Sequence, residues 1–367
     1  MADAKPAGIT SDGIRIERRG AAALVTLDRG RAMNALTPQM LAALDGAYRT
    51  FARDNDLYIM VLKSADAKAF SAGGDMLLLC NKARTDLAAA RADVRAEYQF
   101  NWLADCFSKP SVALIDGVVM GSGAGISAYC THRVAGPRYR FAMPETAIGY
   151  FPDVGMAHVL ARLPSRTGFY LGLTGAAIGR PDAYRLGLVT HCLDAAQFTE
   201  AEALLADAMP VDPVLDDRHA DPGPGELMAH AGTIERCFAD GPVEQIMARL
   251  DAVTGVSQPF AAETLALLQK RAPTALKVTL RHLTEALSQD LRHTLETDYR
   301  LASRFLAASD VHEGVRAALI DKDNAPRWRP ATLADVTADL VNDAFAPLPP
   351  GEELNLAVRQ DMQSLRV

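Results

Sequence analysis

The chain has 367 residues, 49% of them hydrophobic and 23% charged, a globular composition with enough apolar side chain to exclude wholesale disorder. Glycine (26) and proline (20) are scattered, which excludes a collagen-like or low-complexity chain, and about 150 residues per domain gives a prior of two or three domains. The net charge of −7 argues against nucleic acid as the main partner, although a local basic patch can still hold an anionic group. Along the chain, Ile14–Arg18 and Ala23–Leu27 are short alternating runs around Gly20 and predict a hairpin. Thr37-Pro38 reads as an N-cap with proline at the first helical position, followed by Leu41, Leu44, Tyr48 and Phe51 on one face. Leu57–Leu62 and Val112–Ile115 are continuous apolar runs that suit strands covered on both faces, and each leads to a glycine-rich turn, AFSAGGD and VVMGSGAG. The proline-rich, acidic stretch PVDPVLDDRHADPGPG suits an exposed linker. Beyond it, Val243–Val253 and Thr274–Ala308 carry apolar residues at helical spacing. The plan is an α/β core over 12–205, a linker over 206–225 and a helical region over 226–345, without a visible internal repeat.

The five cysteines, Cys80, Cys106, Cys130, Cys192 and Cys237, form no CxxC, which reads as a reducing compartment with no metal site. The start, MADAKPAGITSDG, lacks an apolar signal core and an Arg-rich amphipathic pattern, so a cytoplasmic location is expected. Gly117–Thr131 is too short and too rich in Gly and Ser to span about 30 Å of hydrocarbon, and no membrane partner is expected.

The chemistry-bearing candidates sit on the two glycine turns and just after them. Gly73-Gly74 allows positive φ and close approach of backbone to a ligand; it also suits a plain turn. Gly121-Ser122-Gly123-Ala124-Gly125 opens a helix and has three readings. A dinucleotide loop fails because Ile126 stands where GxGxxG needs glycine. An oxyanion hole would take one N–H from this turn and one from Gly74. Close packing of helix on sheet is the third. Ser122 is not in a nucleophile elbow, since Met120 and Ala124 replace its glycines, and no HExxH is present. Glu145 and Asp153 lie in the apolar segment FAMPETAIGYFPDVG, where burial would raise their pKa into a range useful for acid–base work; the plainer roles are a helix start after Pro144 and a turn after Pro152. Glu97, flanked by charge in a helical stretch, suits a solvated face. His312, Glu313 and Arg316 suit surface pairing.

Taken together, NAL (Asn34–Leu36), AFSAGGD, GVVMGSGAG and MPETAIGYFPDVG resemble the crotonase, or enoyl-CoA hydratase/isomerase, superfamily. PETAIGYFPDVG, RLGLVTHCL and HEGVRAALIDKD resemble its 3-hydroxyisobutyryl-CoA hydrolase branch over about residues 12–345. The resemblance implies a crotonase-like spiral of ββα repeats with a helical C-terminal region. It implies a thioester oxygen held by the N–H groups of Gly74 and Ser122, where the branch usually has glycine at the second position. It implies Glu145 and Asp153 as the catalytic carboxylates and Glu97 as a substrate contact, against the solvated-face reading. Ala72, Gly73, Asp75 and Gly121 would line the acyl-CoA site, with Ala72 and Asp75 near the adenine end. The implied partners are an acyl-CoA substrate and, as an option, a second copy of the chain; CoA enters as part of the substrate and no separate cofactor or metal is expected. Hydratases of the superfamily carry a second glutamate where this chain has Gly125, so hydrolysis is favoured over hydration. A glutamate introduced there risks a clash with the neighbouring sheet.

Overall fold

The computed structural model describes residues 9–11, 13–66 and 68–364; the residues MADAKPAG, on which the argument about a leader draws, lie outside them. After β1 (Ile9–Ser11), the expected hairpin forms from β2 (Ile14–Arg19) and β3 (Ala22–Leu27), antiparallel with Ile14 opposite Leu27. Thr37 caps the Pro38–Arg53 helix, its hydroxyl accepting from the Met40 N–H.

From β3 the chain makes three turns of one shape, each with a strand in a large sheet, a short strand in a small sheet, and a helix. The first is β4 (Ile59–Ser64), β5 (Ala69–Ser71) and the helices Met76–Thr85 and Leu87–Cys106. The second is β6 (Ser111–Ile115), β7 (Val118–Met120) and the helix Ser122–Ser127. The third is β8 (His132–Ala135), β9 (Arg140–Ala142) and the 3₁₀ turn Glu145–Ile148. With β10 (Ile178–Gly179) and β11 (His191–Cys192), the large sheet runs β1-β2-β3-β4-β6-β8-β11 and the small one β10-β9-β7-β5. This is the ββα spiral that the resemblance implied. The repeat is one of backbone path and not of sequence. β5 and β7, read as parts of glycine turns, are three-residue strands too short to show a period.

Both faces of the large sheet are covered, as the apolar runs required. Val25, Met60, Leu62, Ala113 and Ile115 face one core, while Leu24, Val61, Val112, Leu114 and Val134 face a second. The second core is closed by the helices Phe198–Ala206 and Val211–Asp216. Part of the stretch 206–225 read as an exposed linker is therefore a helix with Val211, Val214 and Leu215 buried on the sheet. Its prolines misled because Pro210 lies just outside the helix and Pro213 within its first turn, where a missing N–H is tolerated. The stretch Thr274–Ala308 divides into the helices Pro273–Ala286 and Leu291–Phe305, the second capped by Asp290, whose side chain accepts from the His293 N–H. The first core includes residues from Ile14 to Met362, so spiral and helical region share it. Among the described residues no helix is long and apolar enough to cross a membrane, and all five cysteines are buried and free.

Candidate active site

The first glycine turn is held from behind by the NAL segment. Buried Asn34 accepts from the Arg29 N–H (2.7 Å) and donates to Ser64 Oγ (2.7 Å) and to the carbonyls of Ala69 (3.2 Å) and Phe70 (3.0 Å). That fixes Leu36, whose N–H donates to the Gly73 carbonyl (2.8 Å) and whose carbonyl accepts from the Asp75 N–H (2.9 Å). In such a parallel bridge the middle residue, Gly74, directs its own amide away from Leu36. Gly121, at φ 46°, begins the second turn, and a Cβ there would stand 3.0 Å from Glu145 Oε1. Only glycine both tolerates this backbone and leaves room for the carboxylate. Ser122 is the first residue of its helix, so its N–H has no acceptor one turn back. A Cβ on Gly74 would lie 2.9 Å from Ser122 Oγ, so the two turns adjoin.

All nine predicted site residues line one cavity of about 320 Å³: Ala72, Gly73, Gly74, Asp75, Glu97, Gly121, Ser122, Glu145 and Asp153. Asp75 also caps the Met76–Thr85 helix and pairs with Arg29 at 2.9 Å. The solvated-face reading of Glu97 fails. Its helix turns this residue inward, leaving it 9% exposed, beside Glu145 at 7% and Asp153 at 9%. Glu145 opens the 3₁₀ turn after Pro144 and is nevertheless buried in the cavity wall.

Burial raises all three carboxyls of the cavity, and the other two raise Asp153 further. Burial pushes Glu145 up to about 8, offset in part by its own backbone N–H. Burial likewise lifts Glu97 to about 7, opposed by a hydrogen bond from the Ser122 hydroxyl and reinforced by Asp93. Asp153 is raised well above the usual carboxylate range by burial and then by the charges of Glu97 and Glu145. The Tyr98 hydroxyl donates to Asp153 Oδ2 at 2.6 Å, while Glu145 Oε2 and Glu97 Oε1 have no protein partner among the described residues. Carboxyls held above their usual range and acceptors without donors suit groups that meet a polar ligand.

Sequence reasoning missed Tyr98 and Tyr150, which hold and flank Asp153, and Ala318, which reaches the cavity from a single π-helical turn, Arg316–Ile320. Tyr98 was legible in principle, because it follows Glu97 on a helix that turns out to be buried there. His312 is not part of the expected surface pairing: it bonds the Leu306 carbonyl at 3.0 Å, while Arg316 pairs with Glu313, Asp321 and Asp323. The surroundings of Gly125 also differ from expectation. A Cβ there would lie 2.7 Å from Val154 Cβ and 3.2 Å from Asn101 Nδ2. The obstacle is the loop after Asp153 and the Glu97 helix, not the sheet: even a methyl group would force it to shift, and a glutamate would do so more.

A ββα spiral with two adjoining glycine turns over a cavity of buried carboxyls is the architecture of an acyl-CoA enzyme of the crotonase type. The chain belongs to the enoyl-CoA hydratase/isomerase family, whose sequence model matches residues 22–345. It is 39% identical over 345 residues to the rat protein named 3-hydroxyisobutyryl-CoA hydrolase, mitochondrial, covering 91% of this chain and 89% of the relative. The human protein of that name is 37% identical over 348 residues, covering 92% and 89%. Among solved structures, one described as a carnitinyl-CoA dehydratase from Mycobacterium thermoresistibile superposes with a TM-score of 0.89 at 34% identity, covering 95% of this chain and all (100%) of that one. One described as an enoyl-CoA hydratase from Rhodobacter sphaeroides 2.4.1 gives 0.87 at 36% identity, covering 94% and 100%. The mitochondrial relatives overturn the cytoplasmic expectation, which rested on the lack of recognisable signals near the first residues.

Proposed function

We propose that this protein hydrolyses the thioester of 3-hydroxyisobutyryl-CoA, and of 3-hydroxypropionyl-CoA, to the hydroxy acid and free CoA, the step that valine breakdown requires. The observation that carries the reading is the pairing of Glu145 and Asp153 in one cavity whose second glycine turn, at Gly125, has no room for the hydratase glutamate. The extent of similarity to the hydrolases supports it.

In this reading the N–H groups of Gly74 and Ser122 bind the thioester oxygen and stabilise the oxyanion of the tetrahedral intermediate. Only the backbone of Ser122 is needed there, so its side chain is compatible with the role. Glu145, as carboxylate, attacks the carbonyl carbon; the C–S bond breaks, and the departing thiolate takes a proton from Asp153. Water then cleaves the resulting anhydride. Alternatively Glu145 takes a proton from water, and the hydroxide attacks directly. Incorporation of oxygen-18 into Glu145 during a single turnover in labelled water marks the anhydride route. Glu97 and Asp153 hold the substrate hydroxyl, and Ala72 and Asp75 lie towards the adenine end. CoA is part of the substrate, and the chemistry uses no separate cofactor or metal. Association of the chain with itself belongs to the same proposal and is tested by light scattering.

The decisive experiment is an acyl-CoA panel with free-thiol detection. Release of CoA from the hydroxylated substrates at well above the isobutyryl-CoA rate is expected, because a site built for a hydroxyl leaves polar groups unpaired without one. Hydration of crotonyl-CoA comparable to thiol release would instead promote the hydratase reading.

A further inference from the structure

Behind the candidate site lies a pair of side chains to which the mechanism above gives no part. His282, on the Pro273–Ala286 helix, and Asp298, on the Leu291–Phe305 helix, are 1% and 0% exposed and meet at 2.6 Å between Nε2 and Oδ1. The other oxygen, Asp298 Oδ2, accepts from the backbone N–H of Gly155 at 2.7 Å. His282 Nδ1 has no partner among the described residues, and the imidazole ring packs near those of Phe151 and Phe345. The ring hydrogen therefore belongs on Nε2, directed at Asp298.

What the pair holds is the backbone that carries Asp153. Directly after Asp153, Val154 stands at φ 52° and Gly155 at φ 76°. A β-branched residue in the left-handed region is a strained conformation that persists only where its surroundings impose it. Two contacts impose it here. The Tyr129 hydroxyl donates to the Val154 carbonyl at 2.6 Å, and Asp298 takes the next N–H. Gly155 is itself confined, since a Cβ on it would come within 2.2 Å of the Tyr129 hydroxyl. A fully buried acid–imidazole pair is a poor way to stabilise a core, because well-packed apolar residues usually do as well or better. Its value lies in aim.

We propose that Asp298, oriented by His282, is a positioning residue for Asp153, acting through the Gly155 amide. The inference rests on the reading of Asp153 given under Proposed function. The C-terminal helical region, which reaches the cavity wall through Ala318, then also sets where one of the reacting carboxyls stands.

The test is a double-mutant cycle on thioester hydrolysis by the full chain. Asp298→Leu keeps the branched shape, with larger methyl groups, and removes both acceptors; Asp298→Asn keeps one acceptor for Gly155 and is the conservative rescue. Asp298→Leu is expected to lower kcat at least about tenfold, since small displacements of a reacting group carry large rate losses, with a smaller rise in KM because Asp153 also holds the substrate hydroxyl. Asp298→Asn is expected to recover most of the loss. In an Asp153→Asn background, Asp298→Leu should have almost no further effect, because the group it positions is already gone. An equal loss in both backgrounds would show a merely structural role and overturn the proposal. Should the leucine variant fail to fold, His282→Gln enters the same cycle with the same expected non-additivity and the same overturning result. If the wild type releases no thiol from any acyl-CoA, the functional reading fails separately. The cycle is then read from calorimetric binding of a non-hydrolysable thioether of CoA that carries a 3-hydroxy-2-methylpropyl group. Asp298→Leu should weaken that binding no further once Asp153 is Asn, and an additive loss overturns the proposal.

Discussion

Glu145 has to work as a base or nucleophile in a place where its charged form is costly. Burial drives its pKa to about 8 against an ordinary 4.5, so near neutrality much of it is protonated, and the part that ionises is a stronger base than a hydrated carboxylate. Glu145→Gln is expected to lower thioester turnover by at least about a hundredfold, the usual scale for such a group, with CoA affinity little changed. Wild-type turnover in that variant, measured by thiol release, would remove Glu145 from the mechanism. The same shift has a thermodynamic side. A carboxyl whose folded-state pKa is raised favours folding in its neutral form. Its contribution is full below about pH 4.5 and is lost as pH rises through about 8. Glutamine has no such dependence. The melting temperature of Glu145→Gln should therefore gain on wild type between about pH 5 and about pH 8.5. Calorimetric scans at the two pH values check it, and a constant difference would contradict the buried, raised carboxyl.

At the scale of elements, the site depends on how closely the second glycine turn's helix approaches the loop after Asp153. Gly125→Ala would put a methyl group 2.7 Å from Val154 Cβ. Overpacking of this kind costs about 1–3 kcal/mol, and chemical denaturation should show a loss in that range. Because Val154 follows Asp153, kcat should fall with it, by a larger factor than KM for the hydroxylated acyl-CoA rises. Much of this element plan was legible in the sequence, and for identifiable reasons. The Pro38–Arg53 helix declares itself by its cap, its proline and its apolar stripe. β4 and β6 declare themselves by unbroken apolar runs, because a strand buried on both faces has no polar side. β5 and β7 did not, since three residues carry no period. Glu97 was misread because sequence shows the charges along a helix but not which face tertiary packing turns inward. The helix Val211–Asp216 was taken for linker because its prolines and acids outweigh in composition the three apolar residues that dock it. Gly73, Gly74, Gly121, Ser122, Glu145 and Asp153 stood out by residue chemistry, and motif resemblance gave them roles and added Ala72, Asp75 and Glu97, whereas Tyr129 and Asp298, which hold the backbone after Asp153, belong to no motif and become visible only in three dimensions.

On the scale of the whole molecule, the cavity is built by the spiral and braced by the helices that follow it. The Ala272 N–H donates to the Thr146 carbonyl at 3.1 Å, and Asp298 holds Gly155. Both tryptophans report on this later region. Trp102 Nε1 donates to the Ala357 carbonyl at 2.8 Å, and Trp328 Nε1 reaches the Lys270 carbonyl at 3.4 Å. During refolding, thioesterase activity should return with the rate constant of the tryptophan fluorescence change; activity that returned earlier would show that the spiral suffices. The same brace has a meaning for the chain as it is made. Every candidate site residue lies between Ala72 and Asp153 and leaves the ribosome before the helices Pro273–Ala286 and Leu291–Phe305. At roughly 5–20 residues per second, the interval is on the order of ten seconds. Throughout it the nascent chain carries the residues of the site but lacks both the clamp on Asp153 and the helices that complete its core, so the catalyst stands only once the last helices are made.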